Sequence, residues 1–92
     1  SKPTYLLRSS QIADGPIYNI VIAKQRIWAC STDNIYVIRP NDFTVERVWK
    51  AATTDSPLST FVIGNNSVWT IEQNSSLIQI WDLQKPINRG TI

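Results

Sequence analysis

The sequence predicts an all-β fold built from repeated antiparallel sheets, and three features of the chain support this prediction. Short runs of β-branched and aromatic residues alternate with polar turn segments at regular intervals, as they do in all-β domains. Apolar residues do not recur with the period of about 3.6 residues that marks an amphipathic helix. The chain also matches itself when it is shifted by about forty residues, which indicates an internal repeat.

The predicted strands follow one another along nearly the whole chain. They are separated by segments such as "ADGP" at 13–16, "RPND" at 39–42 and "GNN" at 64–66, whose residue types favour turns. A strand is therefore expected between successive turn segments. We place strands over 4–8, 17–22, 26–31, 34–39, 43–49, 58–63, 67–72, 77–83 and 87–91.

Two stretches of the chain are copies of each other. When Trp28 is set against Trp69, the apolar positions of the surrounding strands coincide. After Asp33 the register slips by two residues, which the turn at 73–76 absorbs, and "IYVI" at 35–38 then meets "IQIW" at 78–81. The matched pairs are Asp14 with Asp55, Pro16 with Pro57, Ile17 with Leu58, Ile20 with Phe61, Val21 with Val62, Ile22 with Ile63, Ile27 with Val68, Ile35 with Ile78, Val37 with Ile80 and Ile38 with Trp81.

A repeat of about forty residues with four short strands is the unit of a β-propeller blade. The strand at 17–22 is apolar on both faces, as expected near a central channel, and the strand at 43–49 mixes charged and apolar residues, as expected at an outer edge. A β-sandwich or a closed barrel is the alternative, although it favours the same half-buried alternation in every strand. We therefore predict two four-stranded antiparallel blades of a larger closed ring. Residues 1–9 form the outer strand of a preceding blade, 10–50 blade one and 51–92 blade two.

Two blades cannot close a ring, because closed propellers need about four to eight blades. Each blade buries its apolar faces against its neighbours, so the outer flanks of this pair need partners. The remaining blades come either from a longer polypeptide or from identical chains that assemble into a ring. The absence of any methionine favours the longer polypeptide.

Composition argues against several functions. The chain has no histidine and a single cysteine, which removes the commonest general base and the ordinary zinc ligands. We therefore expect no enzyme activity, no metal and no cofactor. Basic residues are scattered and the net charge is only +2, whereas a nucleic-acid partner requires a basic cluster. No apolar run reaches the length of about 18 residues that a membrane span requires.

Two segments, "RIWACSTDNIYVI" and "SVWTIEQNSSLIQIWD", resemble the second and third strands of WD40-type repeats. In that family an apolar strand leads through a short polar turn into a strand that ends in Trp-Asp, as Trp81-Asp82 does here. The resemblance implies a propeller that does no chemistry and presents one rim of loops to a protein or peptide. It also implies a scaffold role, and we expect a cytoplasmic location, since no signal peptide opens the chain.

On that interpretation the contact rim comprises the loops before the first strand of each blade and between its second and third strands. A carbohydrate-binding lectin, formed when two-blade chains oligomerise, is the alternative function. Its sugar site would combine groups that bond hydroxyls with an aromatic ring that stacks on a pyranose. The rim candidates are Gln11, Asp14, Thr32, Thr53, Asp55 and Gln73, and the sugar candidates are Arg39, Glu46 and Trp49.

Overall fold

Two antiparallel sheets make up the protein in the computed structural model, which describes residues 3–84. The first sheet has four strands and the second has three, each in sequential order. No helix occurs within residues 3–84. The strands are β1 (Asn19–Ala23), β2 (Arg26–Cys30), β3 (Asn34–Ile38) and β4 (Val45–Lys50) in the first sheet, and β5 (Leu58–Ile63), β6 (Ser67–Glu72) and β7 (Gln79–Asp82) in the second.

Tight turns set the register of the strands. Ala23 pairs with Arg26, so only Lys24 and Gln25 connect β1 to β2. Both residues have positive φ, 54° and 59°, which is the geometry of a type I′ turn. That turn matches the twist of the strands. The pairing of Val21 with Trp28 follows from it and recurs in the second sheet as the pairing of Val62 with Trp69.

The hydrophobic core lies between the two sheets. The ring centroids of Trp49 and Trp81 are 6.3 Å apart with planes inclined at 57°, a tilted arrangement that aromatic pairs favour. Strand β5 packs against strand β2. Ala51 and Ala52, which leave the first sheet for the second, are also buried in this core. The other buried members are Trp28, Cys30, Ile35, Val37, Leu58, Phe61 and Val68.

The first predicted strand is absent from both sheets. Residues 4–8 form no strand and instead reach the β3–β4 turn through Arg8. The guanidinium group of Arg8 donates to the carbonyl oxygens of Asn41 (3.2 Å) and Asp42 (2.9 Å) and stacks over the ring of Phe43 at 4.5 Å. An outer strand of a preceding blade would pair with strands of that blade, so the assignment of 1–9 stays a prediction.

The structure confirms the all-β class and the antiparallel pairing. The predicted strands from 17 to 72 are all present, with ends that differ by a few residues, and the strand predicted at 77–83 begins at Gln79. The strand predicted at 87–91 lies outside the described residues. Both outer faces of the sheet pair carry exposed apolar side chains, including Ile20, Ile22, Val62 and Ile80. The propeller ring and the division into blades stay predictions.

Candidate binding surfaces

The loops that connect the strands form two groups, one at each end of the sheets, and each group contains loops from both sheets. At one end, which we call the rim, are the loops 31–33, 51–57 and 73–78; the turns 24–25, 39–44 and 64–66 lie at the other end. Backbone hydrogen bonds join the rim loops to each other. Ala52 N donates to Asp33 O at 3.0 Å, and Gln73 N donates to Pro57 O at 2.9 Å.

A buried carboxylate holds the largest rim loop in place. Glu72, at the end of β6, accepts hydrogen bonds from the backbone N–H groups of Thr53 (3.1 Å) and Thr54 (3.1 Å). It also accepts from the Thr53 hydroxyl at 2.8 Å and from the Thr54 hydroxyl. Gln79 Nε2 donates in turn to Thr53 Oγ1 at 3.2 Å. The loop that links the two sheets is thereby fixed to both β6 and β7.

Two opposing effects set the pKa of Glu72. Burial alone would raise the pKa of this carboxyl, because removal from water disfavours the charged form. The hydrogen bonds from Thr54 and Thr53 favour the charged form, and they hold the pKa of Glu72 below its usual value. The carboxylate therefore stays ionised while it binds the loop.

The structure brings most of the predicted rim residues to one end of the molecule. Thr32, Thr53, Asp55 and Gln73 come from the three joined loops, and the last three are exposed. Thr53 is engaged with Glu72, so among these four candidates Asp55 and Gln73 are the exposed side chains that Glu72 does not bind. Gln11 and Asp14 line a hollow of about 340 Å³ formed by residues 11–14, in the segment that leads into β1 at the end where Asn19 pairs with Cys30.

A polar cleft of about 440 Å³ lies at the opposite end, between the sheets. Glu46 is the extra residue of a β-bulge, since Val37 pairs with Arg47 and Ile38 with Val45. Arg26 binds the Glu46 carboxylate through two contacts, Nε–Oε1 at 2.7 Å and Nη2–Oε2 at 3.3 Å. Arg39 Nη2 lies 3.6 Å from Glu46 Oε2. The hydrogen bond from Arg26 lowers the pKa of Glu46 and outweighs the effect of burial.

The three sugar candidates do not share one surface. Arg39 and Glu46 are neighbours, but Trp49 is only 1% exposed and packs in the core against Trp81. No sugar ring can stack on it there. Sequence analysis missed Arg26 as the partner of Glu46. The signal was available, because Arg26 directly follows the β1–β2 turn at the end where the β3–β4 turn lies.

The outer face of the second sheet is an apolar surface that sequence analysis did not select as a site. It contains a hollow of about 360 Å³. Trp69 lies at its centre, with Val62 and Ile80 as its cross-strand neighbours. We call this surface the Trp69 face; it consists of Thr60, Val62, Gly64, Trp69, Ile71, Ile78 and Ile80.

The lone cysteine has the properties of a core residue. Cys30 is fully buried, and burial raises the pKa of its thiol to about 11. Such a thiol is protonated at neutral pH and therefore a poor nucleophile. Among residues 3–84, no group of three or more metal-binding side chains comes together, and the same residues contain no helix that could span a membrane.

No protein-family model, no curated protein and no solved structure matches this chain.

Proposed function

We propose that this chain is a non-catalytic protein-interaction module, a scaffold of WD40-like propeller type that acts in the cytoplasm and binds a protein or peptide at its rim. The observation that carries the proposal is the fixed geometry of the rim loops. Glu72 holds Thr53 and Thr54 with four hydrogen bonds. A surface that is already ordered before binding avoids the entropic cost of ordering, which improves affinity.

The exposed chemistry of the rim suits a polar partner segment. Asp55 offers carboxylate oxygens, and Gln73 offers both a donor and an acceptor; both side chains are exposed. A peptide backbone or a basic side chain can bond to such groups. The rim contains several loops from both sheets, so its contact surface depends on the packing of the two sheets.

Selection of displayed peptides against the intact chain tests this proposal. The selected peptides are then titrated against the wild type and against the double variant Asp55→Ala, Gln73→Ala by fluorescence anisotropy. We expect affinity to fall by roughly tenfold or more, about the 1.4 kcal/mol that separates each decade of Kd. The matched control is Asn41→Ala, an exposed turn residue at the opposite end, which should leave affinity unchanged. Equal loss in both variants, or none in either, would contradict a rim site.

A carbohydrate-binding function remains the second candidate because of the polar cleft. Arg26, Arg39 and Glu46 form a charged cluster there that could bond to sugar hydroxyls without the Trp49 ring. A glycan array separates the two functions. Glycan binding that is lost in Glu46→Gln and retained in the double rim variant would replace the rim proposal with the lectin.

A further inference from the structure

We propose that the Trp69 face binds the outer face of the first sheet in a second copy of this chain, so that copies associate head to tail. This inference concerns a different surface from the rim and does not depend on the proposed function. It follows from the internal repeat combined with the packing of the two sheets on each other.

The Trp69 face is the repeat counterpart of a face that is already covered in the structure. Its central residue, Trp69, corresponds to Trp28, and Trp28 is buried against the second sheet. The residues next to the two tryptophans also correspond, Ile71 to Cys30 and Val62 to Val21. Each of them lies on the same face of its sheet as the tryptophan. The remaining pairs are Thr60 with Asn19, Gly64 with Ala23, Ile78 with Ile35 and Ile80 with Val37.

The structure also shows what covers a face of this kind. Phe61 and Ile63 on β5 pack on the core that contains Trp28 and Cys30. Their repeat counterparts on β1 are Ile20 and Ile22, which point away from the second sheet and are exposed. Ile22 is 79% exposed and Val62, on the Trp69 face, is 63% exposed. Each chain therefore carries two exposed surfaces: the Trp69 face, which corresponds to the covered face of the first sheet, and the outer face of the first sheet, which corresponds to the face that covers it.

Two different complementary patches on one chain favour a heterologous contact. In such a contact the patch of one copy binds the other patch of the next copy, and the resulting series closes into a ring or extends as a filament. An isologous dimer would instead bury the same patch twice. The contact between the first and second sheets provides the template, because it joins the same two kinds of surface within one chain.

Burial supplies the driving force for this association. The exposed members of the two faces are large apolar residues, and removal of such surface from water is favourable at about 25 cal/mol per Å². Contiguous exposed apolar patches of this kind mark interaction sites in soluble proteins. Both faces are mainly apolar: Ile20, Tyr36 and Val48 lie in one row across the first sheet, with the buried Ala29 between Ile20 and Tyr36. Each face also carries a charged residue by strand alternation, Lys50 beyond Val48 on the first sheet and Asp82 beyond Ile80 on the Trp69 face.

Sedimentation velocity of the intact chain tests the contact. The wild type should sediment as species larger than the 10.5 kDa chain, increasingly so as concentration rises. The variants Val62→Glu and Ile22→Glu each place a charge on one open face. We expect each variant to associate at least roughly thirtyfold more weakly than the wild type, as for loss of an interface hot spot.

A mixture of the two variants provides the decisive measurement. Val62→Glu retains an intact first-sheet face, and Ile22→Glu retains an intact Trp69 face. An equimolar mixture should therefore form a one-to-one complex with affinity close to that of the wild-type contact. An isologous contact predicts a different result: only the variant that is altered in the self-associating patch loses association, and the other variant associates with itself as the wild type does.

Three controls separate loss of the contact from a general effect of added charge or from unfolding. Ser76→Glu adds the same charge at an exposed position in a rim loop and should associate as the wild type does. Circular dichroism checks the fold of each variant, and Ile80→Glu with Ile20→Glu replaces any pair member that unfolds. A wild type that stays monomeric at every concentration would overturn the proposal, as would a mixture of folded variants that forms no complex.

Discussion

Trp28 and Trp69 occupy the same place in the repeat but differ in their surroundings. Both lie at the third position of the second strand of their sheets and pair with a valine across the strand. Trp28 is 4% exposed and donates its Nε1 hydrogen bond to Ala23 O at 2.9 Å, whereas Trp69 is 42% exposed. The difference arises because the second sheet covers Trp28 and no element of the described chain covers Trp69. The burial of a tryptophan at this repeat position therefore depends on whether another sheet packs over it and not on the residue type.

The ends of the second strands provide another contrast. Ser31 and Glu72 are repeat counterparts, and both are buried. The Ser31 hydroxyl accepts from Asn34 N at 3.1 Å, which closes a turn within its own sheet. Glu72 instead binds Thr53 and Thr54 in the loop between the sheets. The residue at this repeat position thus stabilises a turn within its own sheet in the first repeat, and it binds the loop between the two sheets in the second repeat.

The contrast between the two tryptophans predicts the largest effect. In the Ile22→Glu background, which keeps the chain monomeric, Trp28→Ala should lower the free energy of unfolding by about 3–5 kcal/mol, as for other buried aromatic truncations. Trp69→Ala should cost about 1 kcal/mol or less, because its ring is partly in water already. Urea denaturation followed by circular dichroism measures both. Equal losses would mean that Trp69 is covered in the monomer too.

The second contrast predicts an intermediate effect. Glu72→Gln keeps the shape of the side chain but leaves fewer acceptors for the four donors of Thr53 and Thr54, so we expect a loss of about 1–3 kcal/mol. Ser31→Ala removes a single neutral acceptor and should cost about 1 kcal/mol. The same urea measurement ranks the two. A larger loss for Ser31→Ala would show that Glu72 does not hold the linking loop.

The smallest predicted effect is a dependence of stability on pH. The pKa of Glu72 is lower in the folded chain than its usual value, so its stabilisation is complete above the unfolded pKa of about 4.3 and is lost as pH falls through the folded pKa. Urea midpoints should therefore decline between about pH 5 and about pH 3. Glu72→Gln should flatten this decline.

Glu46 serves as the control for that profile, because its pKa is also lowered. Its pairs with Arg26 and Arg39 are partly exposed, and salt screens such pairs more than buried ones. Added salt should therefore reduce the contribution of Glu46 to the decline in stability at low pH and leave the contribution of Glu72 unchanged. A decline that disappears in high salt would assign the acid sensitivity to Glu46 instead.

Local patterns predicted the sheets well and the sites only in part. Alternation and turn residues fixed the strands from β1 to β6, because those signals act between neighbours in sequence. The role of Trp49 could not be inferred in the same way. Its strand alternates charged and apolar residues, so whether Trp49 faces the core depends on the bulge at Glu46, which shifts the alternation by one residue. The hydrogen bonds of Glu72 likewise depend on a loop eighteen and nineteen residues away.

The sequence alone determined that this protein is all-β, that its strands pair with their neighbours in sequence, and that two similar units follow each other. These properties depend on backbone propensity and on the period of apolar residues, both of which are local. The tertiary structure decided which of two equivalent tryptophans is buried, which carboxylate binds the linking loop and which faces remain open. Burial is a property of what lies opposite a residue, and the sequence pattern of a strand does not contain that information.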